Sequence, residues 1–170
     1  MNRLSTSECN AYFQPYIDKV NKYESLVEGL KQHLESVASF YHSIPEEKYD
    51  YAYAEGKWTV KDVLLHIIDT ERILAYRALR IARGDKTSLA GFEQDGYVEH
   101  GFAKNRSMES LIEEYKAVRQ ATITLFNSLT GDNLLFIGEA SGFPISVRAL
   151  GYIILGHENH HNLIIKERYL

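Results

Sequence analysis

One cysteine, Cys9, is all the thiol that this 170-residue chain contains, so no disulfide can form within it and a reducing compartment, the cytoplasm, is expected. An excess of base is also missing: 19 Lys and Arg stand against 23 Asp and Glu, for a net charge of −4 and a pI near 6.0. Phosphate backbones and anionic membrane surfaces are held by clustered cations, so neither a nucleic acid nor a membrane is expected as a partner. No apolar run reaches the roughly 20 residues that a spanning helix needs. The opening MNRLSTSECNAYF has no secretory apolar stretch. Repeats, low-complexity tracts and Pro/Gly/Ser-rich linkers are absent too, so residues 1–170 are read as one domain of a size that supports a single core. Cys9, in the terminal segment, is read as an incidental thiol rather than a nucleophile.

What is present is helical periodicity. Between residues 24 and 42, Leu26, Val27, Leu30, Leu34, Val37, Ala38 and Tyr41 recur at steps of three and four and form one apolar stripe. SIPEEKYDY breaks it at Pro45. In GKWTVKD, Thr59 and Asp62 have the spacing of a capping box, and the helix they open is expected to run to Arg83 and stop at Gly84. Residues 84–106 show little periodicity, which in a compact domain marks a functional loop or short helical turns. Ser107 caps a third helix, with Leu111, Tyr115, Val118, Thr122, Leu125 and Leu129 as its seam and Gly131 as its expected end. Ser146 caps a last helix reaching Ile165 or beyond. The LLFI run is the one place where β pairing is expected. Four long amphipathic helices make the expected fold an all-α four-helix bundle.

The last helix carries GHENHH at residues 156–161. At about 100° per residue from Leu150, His157 and His161 fall near −20° and +20°, inside the stripe formed by Leu150, Ile153, Ile154, Ile164 and Ile165. His160 lies near −80° and Glu158 near +80°. Two imidazoles thus carry polar nitrogens into a core seam, where an unpartnered group costs on the order of 1–3 kcal/mol. Two readings fit the pair: a shared metal ion, or two core histidines bonded to carbonyls or water.

A metal site needs a further donor, and His66 is the candidate, at the edge of the buried face of VKDVLLHIIDTER. Asp62 and Asp69 flank it at about −40° and −60°. Three imidazoles without cysteine suit zinc, nickel, cobalt, copper or iron rather than magnesium or calcium, and leave a position open for water or substrate. Asp62, Asp69 and Glu158 are candidates to accept hydrogen bonds from the ligand rings. His33, His42 and His100 are read as surface residues. Arg77, Arg148, Tyr97 and Trp58 are candidates for contact with an anionic or extended substrate, with Trp58 read first as a core anchor.

EGKWTVKDVLLHIIDTERILAYRALRIARGD, LAGFEQDGYV and SVRALGYIILGHENHHNLIIKERYL together resemble the DinB superfamily and its YfiT-like branch of metal-dependent hydrolases. The resemblance runs from about residue 24 to the end. It implies an up-down-down-up four-helix bundle, often a homodimer, with nickel or zinc on a histidine of the second helix and an H-x-x-x-H of the fourth. Those positions here are His66, His157 and His161. Some relatives use a low-molecular-weight thiol in S-transfer. The expected function is therefore a metal-dependent enzyme acting on a small molecule, either a thiol transferase or a hydrolase, with no protein nucleophile or base assigned. The competing expectation is a non-enzymatic metal-binding bundle with a structural or stress-related interaction role.

Overall fold

Four hydroxyl side chains set where the long helices begin. Ser25 accepts from the Glu28 amide, Thr59 from Asp62, Ser107 from Ser110 and Ser146 from Ala149, each filling an amide that the first helical turn leaves without a partner. At Thr59 the capping box is complete, with the Asp62 carboxylate receiving the Thr59 N–H at 3.0 Å. The computed structural model describes residues 4–5, 7–20, 23 and 25–170. In chain order these hold α1 (Gln14–Ile17), α2 (Leu26–His42), α3 (Val60–Ala82), α4 (Gln94–Gly101), α5 (Met108–Asn127), α6 (Gly131–Leu135), β1 (Ile137–Ala140), β2 (Phe143–Ser146) and α7 (Val147–Arg168). Residue 24, the expected start of the first stripe, lies outside the described residues.

The bundle direction follows from which ends share a core. Leu26 and Leu30 at the start of α2 pack with Leu74–Ala82 at the end of α3, Ile123 and Phe126 at the end of α5, and Val147–Leu155 at the start of α7. At the other pole, Val37–Tyr41, Val60–Ile68, Met108–Tyr115 and Ile165 meet. Helices α2 and α7 therefore run one way and α3 and α5 the other, the expected up-down-down-up order. Around the ring the neighbours are α2, α5, α3 and α7, so the successive helices α2 and α3 lie on a diagonal. No helix among the described residues is long and apolar enough to cross a membrane.

Two local expectations are corrected, and the short helical turns expected within residues 84–106 are present. Gly131 does not end the third helix, which stops at Asn127. It opens α6 instead, where Thr130 and Asn133 form a second capping box. The segment after it is a β-hairpin with Ile137 opposite Ser146, of which the LLFI run supplies only the edge. Its turn residues Ser141 and Gly142 both have positive φ, 54° and 79°, as a tight two-residue hairpin turn requires. Residues 84–106 hold α4 and a 3-10 turn, and Leu89 is tied to the hairpin through Glu139 O and Ser141 N.

The N-terminal segment is built onto the bundle. Glu8 receives Ser146 Oγ at 3.0 Å and both Nε and Nη2 of Arg148 at 2.5 and 2.6 Å, and Asn159 Nδ2 donates to Lys19 O. These bonds hold α1 along the histidine face of α7. Arg148 is thereby a tether of this segment rather than a substrate contact.

Candidate metal centre

Helix α3 brings His66, and α7 brings His157 and His161, to one point in the bundle. The Nε2 atoms of His66 and His157 are 3.0 Å apart, and those of His157 and His161 3.1 Å. All three rings offer a donor atom within 4.8 Å of the others. Two donors at 2.0–2.1 Å from one ion stand about 2.9 Å apart at a right angle and about 3.4 Å apart at the tetrahedral angle. The two observed separations fall in that interval. His157 Nε2 carries one proton or one lone pair, so it can satisfy only one of its two contacts by hydrogen bonding. A cation satisfies all three lone pairs together, and the donor set fits a divalent ion of the zinc or nickel kind.

Burial also holds the rings in the form that an ion requires. It pushes His66 down to about 4, and His161 to about 3 with help from the neighbouring His66 and His160. His157 is lowered well below its ordinary value by burial, then by His161 and His66. All three rings are neutral near pH 7, so each keeps a ring nitrogen lone pair that can be offered to an ion.

Trp58 covers one side. Its ring centroid lies 4.7 Å from that of His66 and 6.3 Å from that of His161, the latter stacked at 25°. On another side Tyr16 of α1 meets His157 and His160 edge-on, at 5.4 and 5.2 Å. Gly156 makes this approach possible: a Cβ there would lie 1.9 Å from the Tyr16 carbonyl oxygen. The glycine beside the histidines is the sequence signal of that contact, and it passed unread. His157 also reaches the floor of a cleft of about 390 Å³ formed between α3, α7, the N-terminal segment, the 84–106 loop and the hairpin.

The three carboxylates named from sequence have other hydrogen-bond partners, although Asp62 and Asp69 line a small recess beside His66. Asp62 is bound to Thr59 and Asp69 to Arg72, and among the described residues neither is hydrogen-bonded to an imidazole of the cluster. Glu158 is fully buried, but it faces α2 and α5. It accepts from Tyr115 Oη at 2.8 Å and Arg119 Nη2 at 2.7 Å and contacts His33 Nδ1, while Arg119 also forks onto Glu71 at 2.8 Å twice. The expectation that His33 is a surface residue is corrected by this network. It is buried and meets Tyr23 Oη at 2.5 Å through Nε2. His42 and His100 are exposed. Arg77 is buried on the cleft wall, Tyr97 of α4 is partly exposed but packs edge-on against Phe92 and lines a small recess with His66 and Thr70, and the Cys9 thiol is pushed up to about 11 by burial and by Glu8.

The sequence profile of the DinB superfamily matches residues 29–165, and the chain belongs to that superfamily. It is 26% identical over 149 residues to OB0413 of Oceanobacillus iheyensis, a proposed metal-dependent hydrolase, covering 84% of each chain. Its fold is similar to that of YfiT from Bacillus subtilis, described as a probable metal-dependent hydrolase with an unusual four-helix bundle topology. That match has a TM-score of 0.68 at 17% identity, over 98% of this chain and 90% of the other. A DinB-like protein of Bacillus subtilis, YjoA, matches with a TM-score of 0.58 at 21% identity, over 84% and 89% of the two chains.

Proposed function

We propose that His66, His157 and His161 hold one divalent ion, zinc or nickel, and that the protein is a metal-dependent enzyme that transforms a small molecule bound in the adjoining cleft. The observation that carries this reading is the pair of Nε2 separations at 3.0 and 3.1 Å among three neutral rings, His66 and His157 buried and His161 half-buried, with His157 opening onto the cleft. An ion bound there acidifies a water or a thiol and polarises a carbonyl, which serves both hydrolysis and thiol transfer. The chain's own part is to keep the imidazoles unprotonated, to shield them under Trp58 and Tyr16, and to confine the substrate. Cys9, held as a thiol, supplies no competing nucleophile.

The test compares metal-loaded wild type with the His157→Ala variant in two assays, thiol conjugation to an electrophile and ester or amide hydrolysis. Turnover in the wild type alone supports the enzyme, and the assay that responds assigns the reaction. Equal rates in the two proteins would leave a non-enzymatic metal-binding bundle as the reading.

A further inference from the structure

The cleft above His157 holds a cation without a counter-charge. Arg77 is only 4% exposed, and burial lowers its affinity for its proton. Its Nη2 donates to Ala90 O at 2.7 Å and to Ser141 Oγ at 3.1 Å. Among the described residues no carboxylate pairs with it, and its other N–H groups have no protein acceptor. Arg72, Arg80, Arg106, Arg119 and Arg148 are each paired with Asp or Glu, and among the described residues the other arginines without such a pair, Arg83 and Arg168, are exposed, so Arg77 alone is both buried and unpaired. A buried, unpaired guanidinium is costly unless an anion completes it. The carboxylate on the cleft wall, Glu93, is turned to the amides of Asp95 and Gly96 at the start of α4.

A second polar group has no partner. Thr70 Oγ1 is buried, unbonded and on the same wall, one turn beyond His66 on α3. His66, Thr70 and Arg77 share one face of that helix, since Arg77 lies eleven residues on, at a phase of about 20°. Arg77 lines the same cleft as His157, with its guanidinium over the Phe92 ring at 5.8 Å. Much of the remaining wall is aromatic or aliphatic, with Tyr16, Phe92, Phe143 and Ile153 around it, and Asn10 and Gln94 add polar groups.

Resting on the enzymatic reading above, we infer that Arg77 is the anion anchor of the cleft, and that the substrate class is a small organic carboxylate with an aromatic or apolar body. Its carboxylate sits on the free N–H groups of Arg77, its body lies between the aromatic walls past Thr70, and its reacting group faces His157. A carboxylate fits better than a phosphate, because Arg77 is the cation on this wall and Glu93 stands nearby, so a dianion would be left partly uncompensated. A guanidinium spends its in-plane donors on a single carboxylate.

The probes are 3-phenylpropionate and its uncharged counterpart 3-phenylpropionamide, titrated by NMR into full-length protein, once metal-loaded and once after chelation. In the chelated wild type the carboxylate is expected to bind about tenfold tighter than the amide, as a charge-assisted hydrogen bond confers. Arg77→Met is expected to erase that preference and Arg77→Lys to retain part of it. Because Arg77 also holds Ala90 and Ser141, a second measurement uses wild type alone: the carboxylate, and not the amide, slows phenylglyoxal labelling of Arg77. Equal affinity for the two probes, a preference surviving in Arg77→Met, or equal labelling would overturn the assignment. A preference seen only with metal present would place the carboxylate on the ion, sinking the Arg77 anchor while leaving the metal reading intact. Preference in chelated protein that takes up no metal would do the reverse.

Discussion

The Nε2 atoms of His66 and His157 stand 3.0 Å apart although 91 residues separate them in the chain. Neither ring is at the surface, and among the described residues neither has a carboxylate to pair with. Two apposed neutral imidazoles can share one N–H···N bond, but the third ring, His161, brings a further nitrogen within 3.1 Å of His157 that the same bond cannot also satisfy.

Trp58, the chain's one tryptophan, gives this point an optical reporter. Its ring lies 4.7 Å from the His66 ring. Adding nickel or copper to chelated protein is expected to quench its fluorescence at one equivalent, and magnesium is expected to leave it unchanged. The same titration of His157→Ala should show no saturable quenching. Quenching of equal depth and affinity in the variant would mean that the metal binds elsewhere.

The Glu71–Arg119–Glu158 network spans α3, α5 and α7 with no solvent contact. Arg119→Met leaves two carboxylates facing each other in the core, and removal of one partner from a buried ion pair costs about 3–5 kcal/mol. Urea unfolding should show that loss as a lower midpoint. A change under about 1 kcal/mol would mean that water or a proton replaces the guanidinium at little cost.

Gly156→Ala tests the seating of the N-terminal segment. In most helices this change is stabilising by about 0.5–1 kcal/mol. Here the added carbon meets the Tyr16 backbone, so a net loss of about 1–3 kcal/mol is expected. Hydrogen exchange should rise in residues 10–18 while the amides of α7 keep their protection. Unchanged exchange in that segment would contradict the packing.

Glu8 predicts an acid limb for the same segment. Arg148 first, and then Ser5 and Ser146, hold its carboxyl at about 2, against an ordinary value near 4.5. The folded pKa is the lower one, so the unfolded chain binds the proton more readily. The tether's contribution is therefore complete above pH 4.5 and is lost as the pH falls toward 2. Glu8→Gln should flatten that part of a stability-against-pH curve measured on chelated protein, and a curve identical to wild type would sink the prediction.

Much of the fold could be read because its instructions are local. Thr59, Ser107 and Ser146 each announce a helix through a bond to the third amide onward, and 100° steps from Leu150 put His157 and His161 on the inner face. The misreadings have equally physical causes. A glycine after a helix is commonly its stop, but at Gly131 the neighbouring Thr130-x-x-Asn133 spacing is a start signal and prevails. Strands of four residues are too short for alternation to stand out, so the hairpin was seen only at its edge. His33 lies three residues after Leu30 and four before Val37, beside Leu34 on the shoulder of the α2 stripe, and a polar residue so placed can signal a buried partner. That partner, Glu158, lies 125 residues away, and no local pattern names it. The cleft escaped for the same reason, since its walls come from five separate segments.

The central claim is the three-histidine ion, and elemental analysis of protein purified without an affinity tag tests it most directly. The account predicts close to one zinc or nickel per chain in wild type and a loss of most of it in each of His66→Ala, His157→Ala and His161→Ala, with every variant still helical. Wild-type protein that carries no stoichiometric metal and takes up none on dialysis, or variants that hold as much as wild type, would contradict it.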